Sequence, residues 1–178
     1  LPSVLALVGK YDIQVNDGDL ANWAVDQSRT AETRAAVLEL LAKRKAEQTP
    51  GLIRDFLSSK HSTLRTTARQ LLAKSDPAAA VKSVAKAVRN DGSTVSELQA
   101  CVKLLSEMAR PDSDKLLASS LADLVARPKS VGGIWSHIND LELDIVEAAS
   151  KRNTGGIAEL LSSYREIQKQ ASADDPLA

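Results

Sequence analysis

Three Leu-Leu doublets, Leu40-Leu41, Leu71-Leu72 and Leu104-Leu105, recur 31 and then 33 residues apart. That is the period of a helix-pair repeat. Two amphipathic helices joined by a short turn cannot hide their apolar faces alone, so each pair must stack on the next. The expected fold is all-α: a right-handed α-solenoid of about four stacked helix pairs with an irregular N-terminal unit. Composition agrees with this. With 43% hydrophobic residues among 178, the chain has the material for a substantial core. Aromatics make up only 3%, so Leu, Ala and Val must fill that core, which suits close-packed helices better than a sheet.

The punctuation between apolar stripes predicts the individual elements. A first helix over 31–47 buries Ala35, Val37, Leu38, Leu40 and Leu41 at three- and four-residue steps. Thr49 before Pro50 reads as an N-cap followed by a residue suited to the first helical position. The helix it opens buries Leu52, Ile53, Phe56 and Leu57. Ser62 is expected to cap a helix with Leu64, Ala68, Leu71 and Leu72 inside, and Asp76-Pro77 opens one burying Val81, Val84, Ala85 and Val88. Thr94 and Glu97 have capping-box spacing, ahead of a stripe of Leu98, Cys101, Val102, Leu105 and Met108. Ser113 is expected to cap a helix with Leu116, Leu117, Leu121, Leu124 and Val125, which Pro128 bars from continuing. Residues 129–140, with Gly132-Gly133 and Trp135, read as a loop or short helix. Asn139 and Glu142 bracket a start for Leu141, Ile145, Val146 and Ala149. Gly155-Gly156 read as an interruption before a last stripe of Ile157, Leu160, Leu161, Tyr164 and Ile167. The organisation expected is an irregular helical unit over 1–28, a repeat array over 29–170 and a fraying tail over 171–178. A start at Leu1 rather than Met is what a piece excised from a longer chain would show.

Charge is unevenly placed. The total is +0, yet residues 29–89 carry 13 Lys/Arg against 5 Asp/Glu, an excess of +8 balanced by acidic flanks. Such polarity draws an anionic partner to one half of a molecule. The same charges also serve as ordinary solvated helix faces.

Chemistry is hard to place on these residues. His61 and His137 stand 76 residues apart with no second ligand at metal spacing, so no zinc site is expected. Cys101 lies on an apolar stripe, where a thiol behaves as a small hydrophobe rather than a reactive thiolate. It also excludes an internal disulfide, being the single cysteine. The glycine pairs lack the lysine and preceding strand of a phosphate loop. Asp140, Glu142 and Asp144 read as solvated charge, and Trp23 and Trp135 as plugs for irregular gaps. No membrane span is legible. The expectation is a protein that is not an enzyme and needs no cofactor or metal.

The stretch Thr63-Leu64-Arg65-Thr66-Thr67-Ala68-Arg69-Gln70-Leu71-Leu72, followed by Ser75-Asp76-Pro77 and a helix to Val88, resembles the HEAT-like repeat of the phycobilin-lyase type. Thr33-Arg34-Ala35-Ala36-Val37 with Leu40-Leu41 is a looser copy. The resemblance covers about residues 30–167 and is strongest over 61–92. In that family the repeat Arg pairs with an upstream acid to form a ladder. Here Ser59-Lys60-His61-Ser62 supplies no acid, and Ser96-Glu97 stands where the third Arg would be, so the ladder is broken or rebuilt. A tetratricopeptide array ranks second, lacking its Trp, Gly and Tyr landmarks. The chain is also similar to the HEAT-like middle region of large planctomycete-type proteins that join a sugar-dehydrogenase-like propeller to a haem-binding cytochrome domain. That resemblance implies an exported spacer with its redox chemistry elsewhere.

The family geometry implies that second helices line a concave surface. Lys82, Lys86 and Arg89 share one outward face at i, i+4 and i+7, Arg54 takes a comparable place one pair earlier, and Asp123, Glu159 and Glu166 populate later helices. Arg54, Lys82, Lys86 and Arg89 are therefore the expected binding residues. The function expected is a non-catalytic binding or scaffolding module for a protein partner or a neighbouring domain of the same chain. Nucleic-acid binding through the basic 29–89 segment is the alternative, against which the near-neutral total charge and the scarcity of stacking aromatics weigh.

Overall fold

The computed structural model describes residues 15–90, 92–126, 140–152 and 154–173. Among them there are nine helices and no strand. In chain order they are α1 (Asp17–Val25), α2 (Ala31–Arg44), α3 (Thr49–Leu57), α4 (Ser62–Ser75), α5 (Pro77–Ala87), α6 (Val95–Glu107), α7 (Pro111–Val125), α8 (Glu142–Ser150) and α9 (Gly155–Ala173). No helix of the described residues is long and apolar enough to cross a membrane. The chain divides between Ala80 and Val81 into two compact units.

In the first unit α1 packs on α2, while α2, α3 and α4 pack pairwise. Its core gathers Leu20, Val37, Leu38, Leu41, Ile53, Phe56 and Leu64 with small Ala24, Ala35 and Ala68 between them. Trp23 is half-buried against this core with the Arg29 guanidinium 4.8 Å above its ring, a cation–π contact that covers its outer side. In the second unit α7 packs on α6, α8 and α9, and α8 also packs on α6 and α9. Leu98, Leu105, Leu117, Leu121, Leu141, Ile145 and Ile157 are fully buried there. Cys101 is a buried free thiol, as its stripe predicted.

Several helix ends follow the sequence signals. Thr30 accepts the Thr33 N–H at 3.2 Å, Asp76 the Ala79 N–H at 3.0 Å and Thr94 the Glu97 N–H at 3.3 Å. Each satisfies a donor that the first helical turn leaves without a partner. Asn16 does the same for Gly18, and a Cβ at Gly18 would come within 2.9 Å of that Asn16 oxygen.

Other ends depart from expectation. Thr49, Ser62 and Ser113 all lie inside their helices. The cap positions fall on Gln48, His61 and Arg110, none with a side-chain cap bond. In α3 and α7 a proline near the helix start does the work that a capping hydroxyl was expected to do. Leu141 occupies the cap position of α8, again without a side-chain bond, while Asn139 lies outside the described residues. Gly155-Gly156 begin α9 rather than interrupting a helix. The first helix stops at Arg44, three residues short of the predicted end. Lys45 there adopts the left-handed conformation, φ 57°, and the Lys45 and Ala46 N–H groups return to the Ala42 and Leu41 carbonyls at 3.1 and 3.0 Å. This is a Schellman end made with lysine instead of glycine.

Burial also differs at five expected core positions. Ile167 is 40% exposed, beyond the part of α9 that Ile157 and Leu161 bury. Leu71 and Leu72 are only partly buried. Ala85 and Leu116 are intermediate as well. Pro128, Gly132-Gly133, Trp135, His137, the segment 1–11 and the tail from Asp174 lie outside the described residues.

Arginine takes over where carbonyls at helix ends need donors. Arg34 donates to the Ala24 carbonyl at 2.7 Å, Arg65 to Ser59 at 2.8 Å and Arg152 to Leu105 at 3.2 Å. Arg34 and Arg65 occupy the same place six residues before their Leu-Leu doublets. Both reach back to the end of an earlier helix and satisfy one of the carbonyls left open there. The Arg65 bond to a backbone carbonyl stands where the family pattern led us to look for an upstream acid.

Candidate binding groove and basic helix face

The expected binding residues fall in two places. Lys82 and Lys86 are exposed on α5, one turn apart. Ala80, Val84 and Ala87 of the same helix and Val88 just beyond it are buried, so the lysines occupy its solvent side. Arg89 is exposed in the turn after α5. Arg54 is exposed on α3, whose opposite side buries Leu52, Ile53 and Phe56. It belongs to the first unit, while Lys82, Lys86 and Arg89 belong to the second. Of the later acids, Glu159 and Glu166 are exposed on α9, and Glu166 pairs with Lys169 at 3.1 Å. Asp123 is half-buried on α7.

Sequence reasoning passed over a groove in the first unit. It lies where the C-terminal turns of α2 and α4 meet the start of α3, and it encloses about 740 Å³. Its apolar lining comes from Ala42, Ile53 and Leu71, and Thr49 adds a side chain only 7% exposed. The Thr49 hydroxyl has no hydrogen-bond partner among the described residues. The charged lining is Glu39, Lys43, Lys45 and Lys74, all exposed.

The repeat explains this convergence. Lys43 and Lys74 are 31 residues apart, as are Glu39 and Gln70, the same spacing as the first two leucine doublets. Because α2 packs on α4, equivalent positions of two copies come to line one groove. The second copy carries Gln70 where the first carries Glu39, which leaves three lysines facing one carboxylate. Cations near helix C-termini are favoured by the backbone dipole, so each lysine has a local reason to be there. Their meeting over an apolar lining is a consequence of stacking.

In the second unit a polar cluster joins α8 to α9. Tyr164 donates a short hydrogen bond to Glu142, and the Gln168 amide donates to Glu142 at 3.1 Å and to the Tyr164 oxygen at 3.2 Å. Partial burial, followed by the Glu142 carboxylate, pushes the Tyr164 phenol up to about 12. The Arg152 guanidinium stands 3.5 Å from Asp114 as well as bonding Leu105. Among the described residues no group of three His, Cys, Asp or Glu is placed to hold a metal ion.

No family profile, no curated protein and no solved structure matches this chain.

Proposed function

We propose that the chain is a non-catalytic binding module, a HEAT-like helical-repeat solenoid that presents a basic surface to an acidic protein partner or to a neighbouring domain of its own chain. The observation that carries this reading is the polarised α5, with Lys82 and Lys86 exposed one turn apart and a continuous apolar strip buried behind them. Contacts between alternate helices support the solenoid part of the reading. Within the first unit α2 reaches α4, and within the second α6 reaches α8 and α7 reaches α9, as stacked helix pairs do. Complementary charge would orient a partner and speed its arrival more than it would tighten the complex.

The test is titration of the whole protein with poly-glutamate and, separately, with a short DNA duplex at low ionic strength. Binding of poly-glutamate that weakens several-fold in Lys82→Glu/Lys86→Glu supports the reading. Retention of the duplex with a steep salt dependence and no response to poly-glutamate replaces it with nucleic-acid binding, the reading that the +8 excess over 29–89 favours. A small metabolite released from the purified protein on denaturation would count against both.

A further inference from the structure

We propose that the groove formed by α2, α3 and α4 is a docking site for an acidic peptide segment carrying apolar anchor side chains. The proposal deepens the binding-module reading by naming a site and an occupant that the α5 face does not supply.

Three features of the groove select this occupant. Lys43, Lys45 and Lys74 face a single acid, Glu39, so the lining is complementary to a negatively charged guest. Beneath them Ile53, Leu71 and Ala42 offer apolar surface, and Leu71 is left partly exposed where its counterpart in the first copy, Leu40, is buried. An anchor side chain would cover that surface, as the apolar face of an amphipathic helix does in a receiving groove. None of the ten lining residues is aromatic, so nothing there can stack on a base, and a single-stranded nucleic acid would lose its main apolar contact. Exposed Glu39, Lys43, Gln70, Lys74 and Ser75 line the groove. A small molecule would stay half in water there, whereas ligand pockets cover most of their guest.

The position of Lys45 adds to this. A non-glycine residue in the left-handed region costs about 1–2 kcal/mol, and glycine would close the same Schellman end without that cost. Lysine there adds a third positive charge to the groove.

The experiment is a fluorescence-anisotropy titration of the full chain with the labelled peptide acetyl-Glu-Glu-Leu-Asp-Glu-Leu-Leu-Glu-amide. Three variants accompany it: Lys45→Glu/Lys74→Glu, Leu71→Ser and, as a control away from the groove, Lys82→Glu/Lys86→Glu. Far-UV circular dichroism and a thermal melt establish that each variant is folded. The expected result is saturable binding, weakened at least tenfold by the Lys45/Lys74 reversal and several-fold by Leu71→Ser, and left within twofold by the Lys82/Lys86 reversal. The same peptide with serine for leucine should bind several-fold more weakly. Absence of saturable binding overturns the groove proposal, as does binding indifferent to Lys45, Lys74 and Leu71. If the Lys82/Lys86 reversal alone abolishes binding, the module reading survives on the α5 face and the groove assignment fails. If a DNA duplex displaces the peptide and itself responds to the Lys45/Lys74 reversal, the occupant is a nucleic acid and the proposal is wrong.

Discussion

The first two copies of the repeat share a register but not a fate. In α2 the doublet Leu40-Leu41 is sealed, with Leu41 at 0% exposure, while in α4 the equivalent Leu71-Leu72 is only partly covered. Both helices have the same length, both carry an Arg six residues before the doublet, and both Arg side chains bond a carbonyl at the end of an earlier helix. The difference is in what lies over them. One doublet packs into the unit's core, and the other borders a groove bearing three lysines. A repeated pattern specifies that a helix forms and which face turns inward. How completely that face is covered depends on its neighbours.

Truncating the doublets should separate the two copies most sharply. Leu41→Ala removes fully buried atoms and is expected to cost about 3 kcal/mol, within the range for core leucines, whereas Leu71→Ala should cost about 1 kcal/mol or less. Urea unfolding of both variants measures this, and equal losses would mean that Leu71 is as much a core residue as Leu41.

A smaller effect is expected at the two arginines. Arg34→Met loses the bond to the Ala24 carbonyl and the guanidinium stacked 5.3 Å above Phe56, for a combined cost of about 2 kcal/mol. Arg65→Met loses the bond to Ser59 and should cost about 1 kcal/mol. Chemical denaturation of the pair would show whether the closed copy leans harder on its arginine than the open one.

Lys45 ends the closed helix and lines the open groove, so its replacement ties the two together. Lys45→Gly relieves the left-handed strain and should raise stability by about 1 kcal/mol, seen as a higher melting temperature. The same change should weaken the acidic peptide. A destabilised variant would show that the lysine side chain contributes more to the fold than its backbone conformation takes away.

The smallest effect belongs to the second unit and serves as a reference outside both copies. Tyr164 has its folded pKa raised from 10.0 to about 12, so the folded state holds the phenolic proton more tightly than the unfolded chain. The stability linked to that proton is fully present below about pH 10 and is lost as pH rises towards 12. Tyr164→Phe should remove this alkaline dependence, visible as a flatter melting temperature between pH 9 and pH 12, while leaving the first unit's groove unaffected.

Much of the helix inventory was legible in the sequence because its signals are local. Apolar residues three and four apart, a hydroxyl or carboxylate at a cap, and a proline in the first turn act within one turn of backbone, and Thr30, Asp76 and Thr94 behave accordingly. The failures were also local, wherever two signals competed. Thr49 and Ser113 stand beside prolines that start the helix earlier or without them, and Lys45 ends α2 in a conformation that its side chain does not advertise. The groove was a failure of a different kind, because it needs α2 beside α4. Its signal was present in the 31-residue spacing of Lys43 and Lys74, read along the same period as the leucines. Attention to the apolar residues alone passed over what the charged ones repeat. The basic residues chosen instead, Lys82 and Lys86, are exposed as their helix phase required, since phase is a local property.

The central claim is that this protein works by contact, through the groove in its first unit. Its most direct test is an amide and methyl NMR titration of the full chain with the acidic leucine-bearing peptide. The account predicts saturable shifts concentrated at Lys45, Thr49, Ile53, Leu71 and Lys74, with Lys82 and Lys86 little changed. Shifts that leave those groove positions untouched, or a spectrum that does not respond to the peptide, would contradict it.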